Sequence, residues 1–404
     1  MKTKNKGNAS KLTLVVCLLS LAGSALNAQT VEYEVTILPP IPDSFGTIVL
    51  SMNNHGELVG RAQLPRNPFF LRGWKWSAAE GMVLLPAPPG IDALRYSASD
   101  INDAGVIAGD GGGDSGEAWR FQNGEYTLLG TIEGDPLSTS GGINENGDIV
   151  GYSGNPSFGR PKHFFRYTNQ SGMVSLLSGR GRDINDLGVM TGYKENTSGV
   201  FFSSFLLSPP FPPVFLGFLP GRNDSFAHGI NELGQVVGTS RSSESSQAFV
   251  YTDGVGMQGL PTVSRWNSAG AINSMGHIVG GGADPRRGYV WTPSTGSRVL
   301  TDLIDPALQI TVDNAVDIND SGQIAARGFD VGNRVFVQLL LTPVGACEAC
   351  DMNCDGAIDA LDIEPFLNLL FGGGNPCGTC TGDVNGDGRI NASDIEPFLA
   401  CLFG

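Results

Sequence analysis

One short pattern limits what this chain can fold into. An Asn, two variable residues, a Gly and a short apolar stretch recur seven times: MNNHGELVG from Met52, INDAGVIAG from Ile101, INENGDIVG from Ile143, INDLGVMTG from Ile184, INELGQVVG from Ile230, INSMGHIVG from Ile272 and INDSGQIAA from Ile318. From Asn53 to Asn102, Asn144, Asn185, Asn231, Asn273 and Asn319 the steps are 49, 42, 41, 46, 42 and 46 residues. A period in the mid-forties is that of one four-stranded propeller blade, a unit that buries its apolar face only against its neighbours.

Within each repeat the spacing predicts a strand ending at Ile-Asn, a tight turn in which Asn-x-x-Gly supplies a residue tolerant of positive φ, and a second strand such as Val106-Ile107-Ala108. A third strand carries two aromatic residues spaced by two, Trp74/Trp76, Trp119/Phe121, Phe165/Tyr167, Phe249/Tyr251 and Tyr289/Trp291, whose rings share one face and are expected to stack between blades. A fourth apolar strand closes the unit, as in Tyr126 to Leu129 or Met257 to Leu260. The seventh repeat lacks a fourth strand of its own, and the segment Val31 to Leu38 is suited to supply it, closing the ring without an open edge. The expected fold is therefore mainly β, a seven-bladed β-propeller over residues 29–342. High glycine content, 57 of 404 residues, and only 16 % charged residues fit this reading and disfavour a helical bundle.

The repeats resemble the HAF family of extracellular repeats, in which an Asn-x-x-Gly hairpin precedes a His-Ala-Phe-like strand. Here that strand is His163-Phe164-Phe165, Gln247-Ala248-Phe249 or Glu117-Ala118-Trp119. The resemblance implies secretion and a propeller-like fold without implying an activity. The fourth repeat departs from the pattern, with Pro209, Pro210, Pro212 and Pro213 predicting irregular outer strands.

No catalytic constellation stands out in the repeats. Gly113-Asp114-Ser115-Gly116 reads as a loop. His55, His163, His228 and His277 fall in different repeats at unlike offsets and do not form a metal triad. Asp103, Glu145, Asp186, Glu232 and Asp320 follow the motif Asn directly and predict an acidic ring on one face, read as solvated hairpin tips in preference to an ion or sugar site.

The C-terminal segment carries the sharper chemistry. From Asp351 and again from Asp383, oxygen-bearing side chains stand at loop positions 1, 3, 5, 9 and 12, with Gly at 6 and Ile at 8. Calcium needs six to eight hard oxygen ligands, and the Gly permits the sharp turn around it. One ion is assigned to Asp351, Asn353, Asp355, the Ala357 carbonyl, Asp359 and Asp362, a second to Asp383, Asn385, Asp387, the Arg389 carbonyl, Asn391 and Asp394. Each loop runs into Asp-Ile-Glu-Pro-Phe-Leu, and the spacing predicts two helices with apolar stripes Ile363, Phe366, Leu367, Leu370 and Ile395, Phe398, Leu399, Leu402 packed together.

Such a duplicated calcium loop with one exiting helix each resembles a dockerin type I module with two F-hand loops, over residues 351–404 after a linker at 343–350. That resemblance implies docking to a cohesin-like exported partner. Loop positions 10 and 11, here Ala360-Leu361 and Ala392-Ser393, are the expected contacts, although they depart from the usual Ser-Thr. Apart from Cys17, every cysteine lies in this segment, at 347, 350, 354, 377, 380 and 401, which favours three disulfides over zinc ligation in an exported chain.

Residues 1–28 read as a signal peptide, with Lys2, Lys4, Lys6 and Lys11 before an apolar core from Leu12 to Ala22 that is too short to span a bilayer. Its removal takes the net charge from −15 to −19, which disfavours a nucleic-acid partner. The expected function is a secreted, calcium-binding recognition or display protein, the alternative a polysaccharide-degrading hydrolase or lyase anchored by the same module.

Overall fold

The structure, a computed structural model, describes residues 32–65, 70–89, 95–111, 116–155, 162–195, 202–344, 352, 360–371, 373, 384 and 390–403. Residues 1–28, expected to be a signal peptide, five of the six assigned ligands of the first loop (351, 353, 355, 357 and 359), four of the second (383, 385, 387 and 389) and residues 113–115, expected to be a loop, lie outside the described residues, as do all cysteine side chains.

Each repeat folds as an antiparallel meander. In the first, strands Gly46–Met52, Leu58–Gln63, Leu71–Ser77 and Gly81–Leu84 pair in chain order. The same order builds separate four-stranded sheets from Tyr96 to Gly130, Ser138 to Ser178 and Arg180 to Phe215. The later repeats continue the pattern within a twelve-stranded sheet, whose meanders are joined by the single pairings Ser246↔Trp266 and Gly281↔Asn314. The fourth repeat ends in a strand of only two residues, Val214–Phe215, because the prolines before it can donate no ladder hydrogen bonds.

Closure follows the sequence expectation. Strand Tyr33–Ile37 pairs antiparallel with Val335–Pro343, in register from Tyr33↔Pro343 to Ile37↔Leu339. The Arg298 guanidinium donates to both oxygens of the Glu32 carboxylate at 2.6 Å, fastening the start of that strand to the sixth repeat. Val49, Leu58 and Trp74 of the first repeat share one apolar cluster with Ala325 and Leu340 of the last.

Two local devices recur. The innermost strand of every repeat carries a β-bulge just before the motif, for example between Val49 and Ser51, Ala98 and Asp100, or Ala227 and Gly229. The middle of the second strand is Gly60, Gly109, Gly151, Gly192, Gly238 or Gly280, each paired with a fully buried ring of the third strand: Trp74, Trp119, Phe165, Phe205, Phe249 or Tyr289. A Cβ on Gly151 would stand 2.0 Å from the Thr139 carbonyl oxygen and 2.8 Å from the Phe165 ring. Glycine is required here by close approach, since inner-strand backbone and ring leave no room for a methyl group.

The aromatic pairs depart from the stacking expectation. The first ring of a pair covers its own glycine and packs on aliphatic neighbours, as Trp119 does on Val59 and Leu85 of the preceding repeat. Among the described residues, ring-to-ring contact between repeats is made elsewhere than within the five predicted pairs, as where Phe164 meets Phe205, the glycine-covering ring of the fourth repeat, at 5.4 Å.

In the C-terminal segment, α1 (Ile363–Leu370) and α2 (Ile395–Phe403) each follow a short 3₁₀ turn. Phe366 and Phe398 stack at 4.0 Å and 11°, within a cluster that includes Met352 and Leu369. The predicted stripes are corrected at one position each. Leu367 and Leu399 are exposed, and Leu369 takes the inward place on α1 because the contact is a single crossing at the two Phe rings rather than a long seam.

Candidate functional site

The seven motif asparagines form a closed ring of hydrogen bonds. Each Nδ2 donates to the main-chain carbonyl of the next: Asn53 to Asn102, Asn102 to Asn144, Asn144 to Asn185, Asn185 to Asn231, Asn231 to Asn273, Asn273 to Asn319 and Asn319 back to Asn53, at 3.0–3.3 Å. Each Oδ1 accepts the N–H four residues on, as Asn144 does from Asp148 at 2.9 Å. Thus the Asn is a buried joint between repeats, while the motif Gly takes the left-handed turn conformation, φ 70–77° throughout.

The acidic ring stands where the spacing placed it, but it is bonded. The carboxylates accept backbone N–H groups from the preceding repeat: Asp103 from Asn54, Glu145 from Asp103, Asp186 from Glu145, Glu232 from Asp186 and Asp320 from Ser274, at 2.7–3.0 Å. These bonds latch neighbouring turns and replace the purely solvated tips of the sequence reading. None of the five forms an ion pair with a Lys or Arg among the described residues. Partial burial and the charges of Asp103 and Asp186 push the Glu145 carboxyl up, and burial with Asp186 and Asp320 does the same to Glu232.

Below this rim lies a channel cavity of about 490 Å³, lined by residues from all seven repeats. Asp100, Asp183 and Asp317 face it from the position two before the motif Asn. Each carboxyl bonds its own following N–H and that of the next repeat: Asp100 takes Ile101 and Ile143, Asp183 takes Ile184 and Ile230, and Asp317 takes Ile318 and Met52. Desolvation, with repulsion from Asp100 and Asp317, pushes Asp183 up to about 8, and desolvation with repulsion from Asp100 pushes Asp317 to about 7. Ser51 Oγ lies 2.5 Å from Asp100 and 2.9 Å from Asp317. A hydroxyl has one proton to donate, so bonding both partners requires that one carboxyl keep its own.

Arg182 and His228 occupy equivalent bulge positions of adjacent repeats. Desolvation and the Arg182 charge hold His228 neutral, down to about 4, and Nδ1 donates to the Ala269 carbonyl at 2.7 Å. The other histidines are scattered: His55 is exposed on a turn, His163 pairs with Asp135 at 2.7 Å, and His277 sits beside its motif Asn. Among the described residues no three His, Cys, Asp or Glu side chains gather as a metal site. The channel carboxylates escaped the sequence reading because Asp occurs there in only some repeats, and nothing local marks it as inward-facing.

In the C-terminal segment Asp362 and Asp394, position 12 of each loop, are fully buried at the starts of α1 and α2. Asn391 and Asp394 form a reciprocal cap, with Asn391 N–H donating to Asp394 Oδ2 at 2.9 Å and Ser393 N–H to Asn391 Oδ1 at 2.9 Å. Two carboxylates buried at equivalent positions of loops this rich in Asp suit a hard divalent cation, which offsets the cost of desolvating them.

Residues 349–396 match the dockerin type I domain family. The C-terminal region therefore carries a dockerin type I domain. Dockerin membership supports calcium as its ion. No curated protein matches the chain. Among solved structures, a catalytically inactive virginiamycin B lyase from Staphylococcus aureus with quinupristin is 11 % identical, with a TM-score of 0.51 over 76 % of this chain and 99 % of that one. The β-propeller domain of the trilobed protease from Pyrococcus furiosus is 11 % identical, with a TM-score of 0.51 over 75 % of this chain and 94 % of that one. At such identity the likeness is one of fold, and the repeat region is propeller-like. Among the described residues no helix is long and apolar enough to cross a membrane.

Proposed function

We propose that this chain is an exported component of a dockerin-held assembly: a seven-bladed propeller of the HAF type that recognises a ligand through its channel face, attached through a two-calcium dockerin to a cohesin-like partner. The dockerin match carries the reading. Buried Asp362 and Asp394 support two ions, one in each loop, with the ligand sets assigned from the sequence. The six C-terminal cysteines are assigned to three disulfides, which together with calcium would hold a module too small for a sufficient core of its own.

The closed Asn ring, Asn53 to Asn319 and back, supports seven blades. Display is favoured over polysaccharide cleavage by the state of the channel carboxylates. Both oxygens of Asp100, Asp183 and Asp317 are already engaged by backbone N–H groups, so these acids join blades and are not poised to act on a substrate. The test is capture of the full-length protein on an immobilised cohesin, with calcium and then with chelator. Calcium-dependent retention that is lost in Asp362→Ala/Asp394→Ala supports the reading. Retention unaffected by chelator, or none on a panel of cohesins, overturns it.

A further inference from the structure

The turn-bearing face of the propeller combines exposed apolar side chains with a latching carboxylate rim whose charge no Lys or Arg pairs among the described residues. By strand order, the turns after the first and third strands of each repeat lie on the same face. On the fourth and fifth repeats these turns present Leu187, Phe211, Leu233 and Val255, which are 76, 69, 73 and 63 % exposed. Single exposed apolar residues are ordinary; here four large ones stand on the same-side turns of two neighbouring repeats, apolar surface that a partner can cover. Beside them is the carboxylate rim, five acids with no Lys or Arg partner among the described residues. Of the cations on that side, Lys75 is paired with Glu57, Arg166 with Asp148 and Arg120 is bonded to Asn169, while Arg182 lines the channel with Asp100, Asp183 and Asp317.

We infer that this face docks a basic peptide segment of a protein partner, a Lys or Arg entering the channel mouth at the carboxylate rim while flanking apolar side chains cover Leu187 and Leu233. The assignment rests on charge complementarity and names the class of ligand for the recognition face proposed above. A polyanion such as an acidic polysaccharide would meet an uncompensated rim, and a neutral glycan would find no aromatic platform among the residues lining the cavity. The channel, at about 490 Å³, is roomy enough for one long cationic side chain with water.

The test titrates the full-length calcium-loaded protein with three synthetic peptides: alternating Lys and Leu, the same with Ser for Leu, and the same with Glu for Lys. The Lys–Leu peptide is expected to bind, and the other two at least about tenfold more weakly. Leu187→Ser/Leu233→Ser and Asp186→Asn/Glu232→Gln should each lose about tenfold. The amide oxygens can still accept the latching N–H groups and the Leu side chains are exposed, so unchanged melting temperatures serve as the folding control. Equal binding by the Lys–Ser peptide, equal binding by both variants, no binding of any peptide, or displacement of the peptide by a neutral oligosaccharide overturns the inference. Cohesin capture reads the dockerin alone, so docking can fail here while the tethering reading stands.

Discussion

At the scale of single residues, the motif Asn works through both ends of its amide, and the two ends fix different things. Oδ1 shapes the turn, whereas Nδ2 joins one repeat to the next. In Asn144→Ala the Asp148 N–H loses its acceptor in a buried setting, and the Asn185 carbonyl keeps the Gly188 N–H but loses its bond to the preceding repeat. Leaving one buried polar group unsatisfied costs about 1–3 kcal/mol, so urea unfolding should show a loss of roughly that size. Asn144→Asp should be no milder, since its carboxylate would face the Asn185 carbonyl. The channel acids predict a pH signature. A carboxyl whose folded pKa is raised contributes stability that is fully present at low pH and is lost as pH rises through the folded value. His228, held low, works the other way, but only below its ordinary value of 6.5. Between about pH 6.5 and 8 the Asp183 and Asp317 effects remain, so the melting temperature should fall with rising pH. Asp183→Asn should flatten that slope. A slope unchanged in the variant would show that Asp183 is not the titrating group.

At the scale of strands and helices, the bulge and the glycine column are one device. The bulge turns the residue before the motif toward the channel, and the glycine lets the inner strand and the aromatic ring approach from opposite sides. The last repeat confirms the dependence: it has Ala326 in place of glycine, opposite Leu339 rather than a ring, and its inner strand carries a second irregularity between Val312 and Asn314. Gly151→Ala lacks that accommodation. Its methyl group would meet rigid backbone at 2.0 Å, and chemical denaturation should register a loss of about 3 kcal/mol or more. In the C-terminal module, a single crossing of α1 and α2 at Phe366 and Phe398 gives a core too small to stand alone. Ten acids face the lone Arg389 between 347 and 404. Chelation should therefore unfold the module while leaving the propeller transition in place, two separate events in a calorimetric scan.

For the whole molecule, stability depends on joining the chain's two ends. Deleting residues 32–37 removes the strand that covers Val335–Pro343 and the Glu32 partner of Arg298. The truncated protein should melt well below the parent and associate through the uncovered edge, which light scattering would detect. A monomer of unchanged melting temperature would show that the Asn ring alone holds the circle closed. What the sequence determined by itself were the features written locally and repeated: the period, the turn, the strand order, the closing strand and the rim acids. Repetition makes them legible, because each copy of Asn-x-x-Gly tests the reading of the others. The tertiary structure decided what depends on neighbours far apart in the chain. It showed that the Asn amides link into one ring, that Asp100, Asp183 and Asp317 bond the following repeat, and that Leu187, Phe211, Leu233 and Val255 are exposed on their turns. Hydrogen-bond partners 40 or more residues away, as with Asn144 and Asn185, leave no local trace, and a carboxylate's pKa follows from surroundings that only the closed ring creates.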